Sequence, residues 1–190
     1  MRNAVKIIAL VAGFQGCGLT DRLISLADTE ALLPIAESLI DDFYSFDSVR
    51  LEQALASAGD SKASLLYYQG WAEGGNYEIV ERKNCVVQSL NMVSCPITVK
   101  DDPMLALAVD FFVTDTFEIT FEDRRVSSVE TSSNDLPIYY QARDWVRANM
   151  PELVAQPCEG FFAGGATPGN CAQAMAKGYR HFTASDAYSY

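Results

Sequence analysis

The sequence predicts an α+β fold in which N-terminal helices pack into a curved antiparallel sheet. Three observations carry that expectation. Apolar side chains recur at helical spacing from Thr29 to about Glu73; from Tyr77 onward the pattern becomes β-rich; and polar connectors between the β-rich runs are short enough to join only antiparallel neighbours. The chain has 190 residues, 49% hydrophobic and 21% charged, which suits one domain with a real core and excludes a disordered, collagen-like or coiled-coil chain.

The first helix spans Thr29 to Phe46, with Leu32, Ile35, Leu39, Ile40, Phe43 and Phe46 on one face, Thr29 as its N-cap and Pro34 early enough to be tolerated. Asp47 or Ser48 starts a short second helix ending at Ser57. Asp60 or Ser61 starts a third, Lys62 to about Glu73, which Gly74 and Gly75 close. The predicted strands are Tyr77 to Val87, Val93 to Lys100, Asp110 to Glu122 and Val126 to Ser132, with Asp123, Arg124 and Arg125 in a turn. A final amphipathic helix, Pro137 to Asn149, is stopped by Pro151. A Pro/Gly-rich loop and a short helix, Cys171 to about Phe182, complete the chain. The segmentation is residues 1–17, 18–28 as linker, 29–150 as the domain and 151–190 as a C-terminal extension.

Residues 1–17 set the expected address. Arg2 and Lys6 precede an apolar run from Ile7 to Phe14, which is too short for a permanent membrane span and reads as an export signal. Gly16-Cys17 at its end resembles a bacterial lipoprotein signal, which implies acylation of Cys17; Phe14 and Gln15 depart from that pattern. An ordinary cleaved signal is the alternative. The expected location is the cell envelope or periplasm, with membrane contact only through a lipid, or else secretion.

The five cysteines favour acylation of Cys17, because in an exported chain an even set tends to form disulfides and the odd one needs another role. The other four form local pairs. Cys85 and Cys95 are equidistant from Leu90 and fit a bridge across a hairpin, while Cys158 and Cys171 bracket the Gly-rich loop; sequence leaves the other pairings open. A metal site is not expected, since there is no CxxC and His181 is the sole histidine. Fourteen basic against 25 acidic residues give a net charge of -11, which repels phosphate backbones and excludes nucleic acid as an expected partner.

The run Ile40-Asp41-Asp42-Phe43-Tyr44-Ser45-Phe46-Asp47-Ser48-Val49-Arg50-Leu51 resembles the first helix, break and Asp-led second helix of the nuclear transport factor 2-like superfamily, which includes SnoaL-like cyclases and ketosteroid isomerases. Thr114 to Asp123, followed by a strand and the helix ending Trp145-Val146-Arg147-Ala148-Asn149, resembles its long central strand and the elements after it. The resemblance covers roughly residues 30–150. It implies a cone with an open mouth that binds small, mostly apolar molecules; the residues beyond Pro151, which Cys158 and Cys171 would staple, lie outside the shared core.

Within the strand Asp110 to Glu122, one row is Phe111, Val113, Asp115, Phe117, Ile119 and Phe121, and Asp115 is its only carboxylate. Burial there would raise its pKa and make it a candidate general acid or base; a structural role capping backbone or pairing with an arginine is the competing reading. The opposite row, including Thr114, Thr116 and Glu118, suits solvent or a homodimer contact. Tyr44, Tyr68, Trp71, Asp115 and Phe117 form the expected ligand pocket, with Tyr67 beside them. Asp41 and Asp42 are adjacent acids that cannot share one helix face. The resemblance places a catalytic Tyr of the isomerases where this chain has Leu39. No nucleophile elbow, phosphate loop or cofactor motif is present: Gly160, Gly164, Gly165 and Gly169 lack a Lys-Ser/Thr ending, and Asp101 and Asp102 read as a turn. The sequence therefore favours a binding or protein-interaction module without catalysis, for a small apolar ligand or an envelope partner. The alternative is a SnoaL-like isomerase, cyclase or dehydratase using Asp115 with a Tyr donor.

Overall fold

A computed structural model describes residues 29–159 and 168–189, so the expected export signal, Cys17, the linker and most of the Gly-rich loop lie outside the described residues. The chain is a mixed α+β fold. Three helices come first, α1 (Leu33–Tyr44), α2 (Ser48–Ala54) and α3 (Ser61–Gly74). An antiparallel sheet follows, built from β1 (Glu78–Arg82), β2 (Val86–Ser89), β3 (Met92–Lys100), β4 (Val113–Glu122) and β5 (Arg125–Ser133). A short helix α4 (Asp102–Leu105) links β3 to β4, and α5 (Pro137–Asn149), α6 (Pro151–Val154) and α7 (Pro168–Thr183) close the chain.

Helix starts follow local chemistry. The Asp47 carboxylate accepts from Val49 N–H at 3.0 Å and Arg50 N–H at 3.2 Å, which satisfies two of the orphan donors of α2. Thr29 does not cap α1. Leu32 holds the N-cap position with Pro34 in the first turn, and Thr29 is buried one turn earlier, offering its carbonyl to Leu32 N–H. At the end of α3 the left-handed residue is Asn76 (φ 52°), not Gly74 or Gly75. Gly74 is required for another reason. A Cβ there would sit 2.2 Å from the Gly169 Cα, so only glycine lets α3 and α7 cross at backbone contact.

The expected strand from Tyr77 to Val87 is divided. β1 pairs with the end of β3 (Glu78↔Lys100) and β2 with its beginning (Val86↔Ser94), with an interruption at residues 83–85. There, Arg82 binds Glu37 (2.6 Å) and Asp41 of α1, and Cys85 N–H donates to Glu37 at 2.9 Å, so α1 draws the chain off the ladder. Asp123 and Arg124 adopt left-handed conformations (φ 47° and 61°), the tight turn that joins β4 to β5. Asp101 and Asp102 are not simply a turn: they open α4, with Asp101 at its N-cap.

Both expected local disulfides are formed, Cys85–Cys95 and Cys158–Cys171. On β4 the alternation holds, since Val113, Asp115, Phe117, Ile119 and Phe121 are buried. Phe117 packs edge-on to Phe43 of α1 at 5.0 Å, and full burial of a side chain this size stabilises by about 1.5–3 kcal/mol. The C-terminal helix belongs to the same core. Cys171, Ala172, Met175, Tyr179 and Phe182 of α7 are buried against α3 and α5, while His181 is exposed, as expected of it.

Candidate functional site

A cavity of about 400 Å³ opens between α3, α4, the β4–β5 strands and α5. Two smaller cavities, of about 330 and 230 Å³, lie between α1 and α2 and beside the Cys158–Cys171 bridge. The large one is aromatic and acidic. α3 supplies Tyr67, Tyr68 and Trp71; Tyr77 enters just before β1; α5 supplies Tyr139. Tyr67 and Trp71 are one helical turn apart and so share a face. Asp101 and Met104 contribute from α4, Val113 from β4, and Thr131, Ser133 and Asp135 from β5 and the segment after it.

Of the residues expected in a pocket, Tyr68 and Trp71 line this cavity. Asp115 and Phe117 are fully buried and do not line it, and neither does Tyr44, which packs edge-on to Phe43 and Phe117. The arrangement is continuous: Tyr68 stacks near Phe117 at 6.3 Å and touches Phe43 at 5.2 Å. Asp41 and Asp42 do not reach the cavity; they pair with Arg82 and Arg50. Leu39, where the isomerase Tyr would stand, is part of the core.

Asp115 is tied to the cavity through its neighbours. In the β4–β5 register it faces Ser133, whose hydroxyl donates to Oδ1 at 2.5 Å. Burial lifts its pKa from 3.8 to about 6, opposed by Ser133 and by the nearby Tyr68 hydroxyl, and reinforced by the charge of Asp135. Tyr68 acts from nearby without full hydrogen-bond geometry, because Oδ2 is buried with no hydrogen-bond partner among the described residues. No basic side chain pairs with Asp115 among those residues, so the expected arginine partner of the structural reading is absent there.

Sequence reasoning placed Asp101 in a turn and not in a site, although Asp-Asp-Pro is the pattern of an N-cap before a first-turn proline. Its Oδ1 accepts from Met104 N–H at 2.9 Å, while Oδ2 is buried without a hydrogen-bond partner among the described residues. Burial raises its pKa to about 7 against that backbone bond, helped by the charges of Asp115, Asp135 and Asp102. Asp135 is also raised by burial, with Tyr140 donating to it at 3.0 Å. Burial keeps the Tyr68, Tyr77 and Tyr139 hydroxyls protonated, with pKa values above the ordinary phenol value.

Chemically, the cavity offers ring surface, phenol donors and two carboxyls, Asp101 pushed up to about 7 and Asp135 pushed up by burial. It can hold a small molecule, and its carboxyls can exchange protons with one. Among the described residues no group of three or more His, Cys, Asp or Glu side chains could hold a metal ion, and no helix is long and apolar enough to cross a membrane. No protein-family model matches this chain, and no curated protein or solved structure matches it either.

Proposed function

We propose that this chain is an exported binding protein of nuclear transport factor 2-like architecture, tethered by lipid at Cys17, whose cavity holds a small, largely apolar molecule without transforming it. The observation that carries this is the cavity itself: about 400 Å³, walled by Tyr67, Tyr68, Trp71, Tyr77 and Tyr139, within the size range of small-molecule sites. The order of elements supports the architecture, with three helices, an Asp47-capped second helix and then an antiparallel sheet with an inward apolar row. Two disulfides are compatible with an oxidising, exported environment. The outward row of β4, with Thr116 and Glu118, is the face offered to a second copy.

A second reading is favoured by one observation. Asp115 is buried without a basic partner among the described residues, beside Tyr68, which suits a SnoaL-like isomerase, cyclase or dehydratase with Asp115 as proton carrier and Tyr68 as donor. Against it, Leu39 replaces the donor of the isomerases, and Asp115 does not line the cavity.

Native mass spectrometry of the protein drawn from its own membrane fraction tests the first reading. Acyl mass on Cys17, two disulfides and a retained small molecule are expected. A chain still starting at Met1 with five free thiols and no ligand would overturn it.

A further inference from the structure

We infer that the cavity selects an organic cation, a protonated or quaternary amine with an apolar body, held by Asp101 and Asp135 among the rings of Trp71, Tyr68 and Tyr139. This rests on the ligand-binding reading above and adds the chemistry of the ligand. Aromatic rings attract cations through their quadrupole, most strongly when Trp and Tyr are combined and water is displaced. The cavity has those rings and, in its wall, a carboxyl whose Oδ2 is buried with no hydrogen-bond partner among the described residues. A buried, unmatched carboxylate oxygen is unfavourable until a positive group reaches it.

The described residues do not supply that positive group. No Lys, Arg or His among them lines the cavity. The nearby guanidiniums are engaged elsewhere: Arg82 with Glu37 and Asp41, and Arg143 with Asp144 and the Tyr140 ring. An anionic ligand meets Asp101 and Asp135 and is repelled. A hard metal ion needs about six oxygen ligands, which two separated carboxyls among rings do not provide. A weakly hydrated organic ammonium satisfies both the rings and the carboxyls.

The test compares benzyltrimethylammonium with its neutral isostere neopentylbenzene, by NMR titration of the full chain with its disulfides intact. The cation is expected to bind about tenfold more tightly, the preference that a desolvated ring-and-carboxylate site confers. Asp101→Asn keeps an N-capping side chain and is expected to erase most of that preference. Asp135→Asn, half-buried at the cavity edge, is expected to reduce the preference in the same direction and serves where the first variant does not fold. Equal binding of the two probes, unaffected by either substitution, overturns the cation inference and leaves the binding reading standing. Failure of both probes to bind overturns both.

Discussion

Asp101→Asn should stabilise the unliganded protein, and only above acidic pH. The folded-state pKa of Asp101 is raised from 3.8 to about 7, so the fold favours the protonated carboxyl. A raised acid contributes its full stability below the unfolded pKa and loses it as pH climbs through the folded one, here from about pH 4 to about pH 7. At about 1.4 kcal/mol for each pKa unit, keeping Asp101 ionised at pH 8 costs up to about 4 kcal/mol. Asparagine titrates nowhere in this range, still accepts from Met104 N–H, and puts a donor where the unpartnered oxygen stood. Part of the gain is lost, because a buried amide needs partners of its own, so about 1–3 kcal/mol is the expected stabilisation at pH 8. Urea unfolding of both proteins at pH 4 and pH 8, disulfides oxidised, gives the difference directly. A stability difference that is the same at both pH values would refute the reasoning.

Ser133→Ala removes the hydroxyl that donates to Asp115 and should move the Asp115 titration upward from about 6, as followed by carboxyl ¹³C NMR; an unchanged or lower midpoint contradicts the assigned bond. Gly74→Ala puts a methyl group 2.2 Å from the Gly169 Cα and should cost about 1–3 kcal/mol, seen as a lower Tm; an unchanged Tm would show that α3 and α7 do not cross so closely. Replacing Cys158 and Cys171 together by Ser opens a link between residues 13 apart, and a loss of about 3 kcal/mol is expected without reductant. That loss should vanish when both proteins are reduced.

Local patterns were readable and remote packing was not. The inward row of β4, the limits of α5, the Asp47 cap and both disulfide pairs depend on partners no more than 13 residues away, so periodicity and spacing reveal them. The division of the Tyr77–Val87 strand depends on α1, more than forty residues earlier, which reaches Arg82 and Cys85. The cavity is similar. Tyr68 and Trp71 sit on one helix and were legible as an aromatic cluster, whereas Tyr139 and Asp135 join them only once β5 and α5 have returned across the sheet. The close approach of α7 to α3 had a signal in the glycines at Gly70, Gly74 and Gly169, but small residues do not name their partners.

The acids around the cavity also bear on which function fits. Buried carboxyls lifted to about 6 and about 7 oppose folding near neutral pH, and an apolar residue of similar size would remove that opposition. Asp101 has a structural duty through Oδ1, but a serine or asparagine could cap α4 as well. What neither replacement retains is a negative charge facing a ring-lined cavity. A cation entering beside Asp101 reverses the balance, because it favours the ionised carboxylate, releases its proton and stabilises the fold by its own binding. The charge that weakens the empty protein is then the charge that holds the ligand, so at equal concentrations stability at pH 8 should rise further with an organic ammonium than with its neutral isostere, by up to about 1.4 kcal/mol for a tenfold preference.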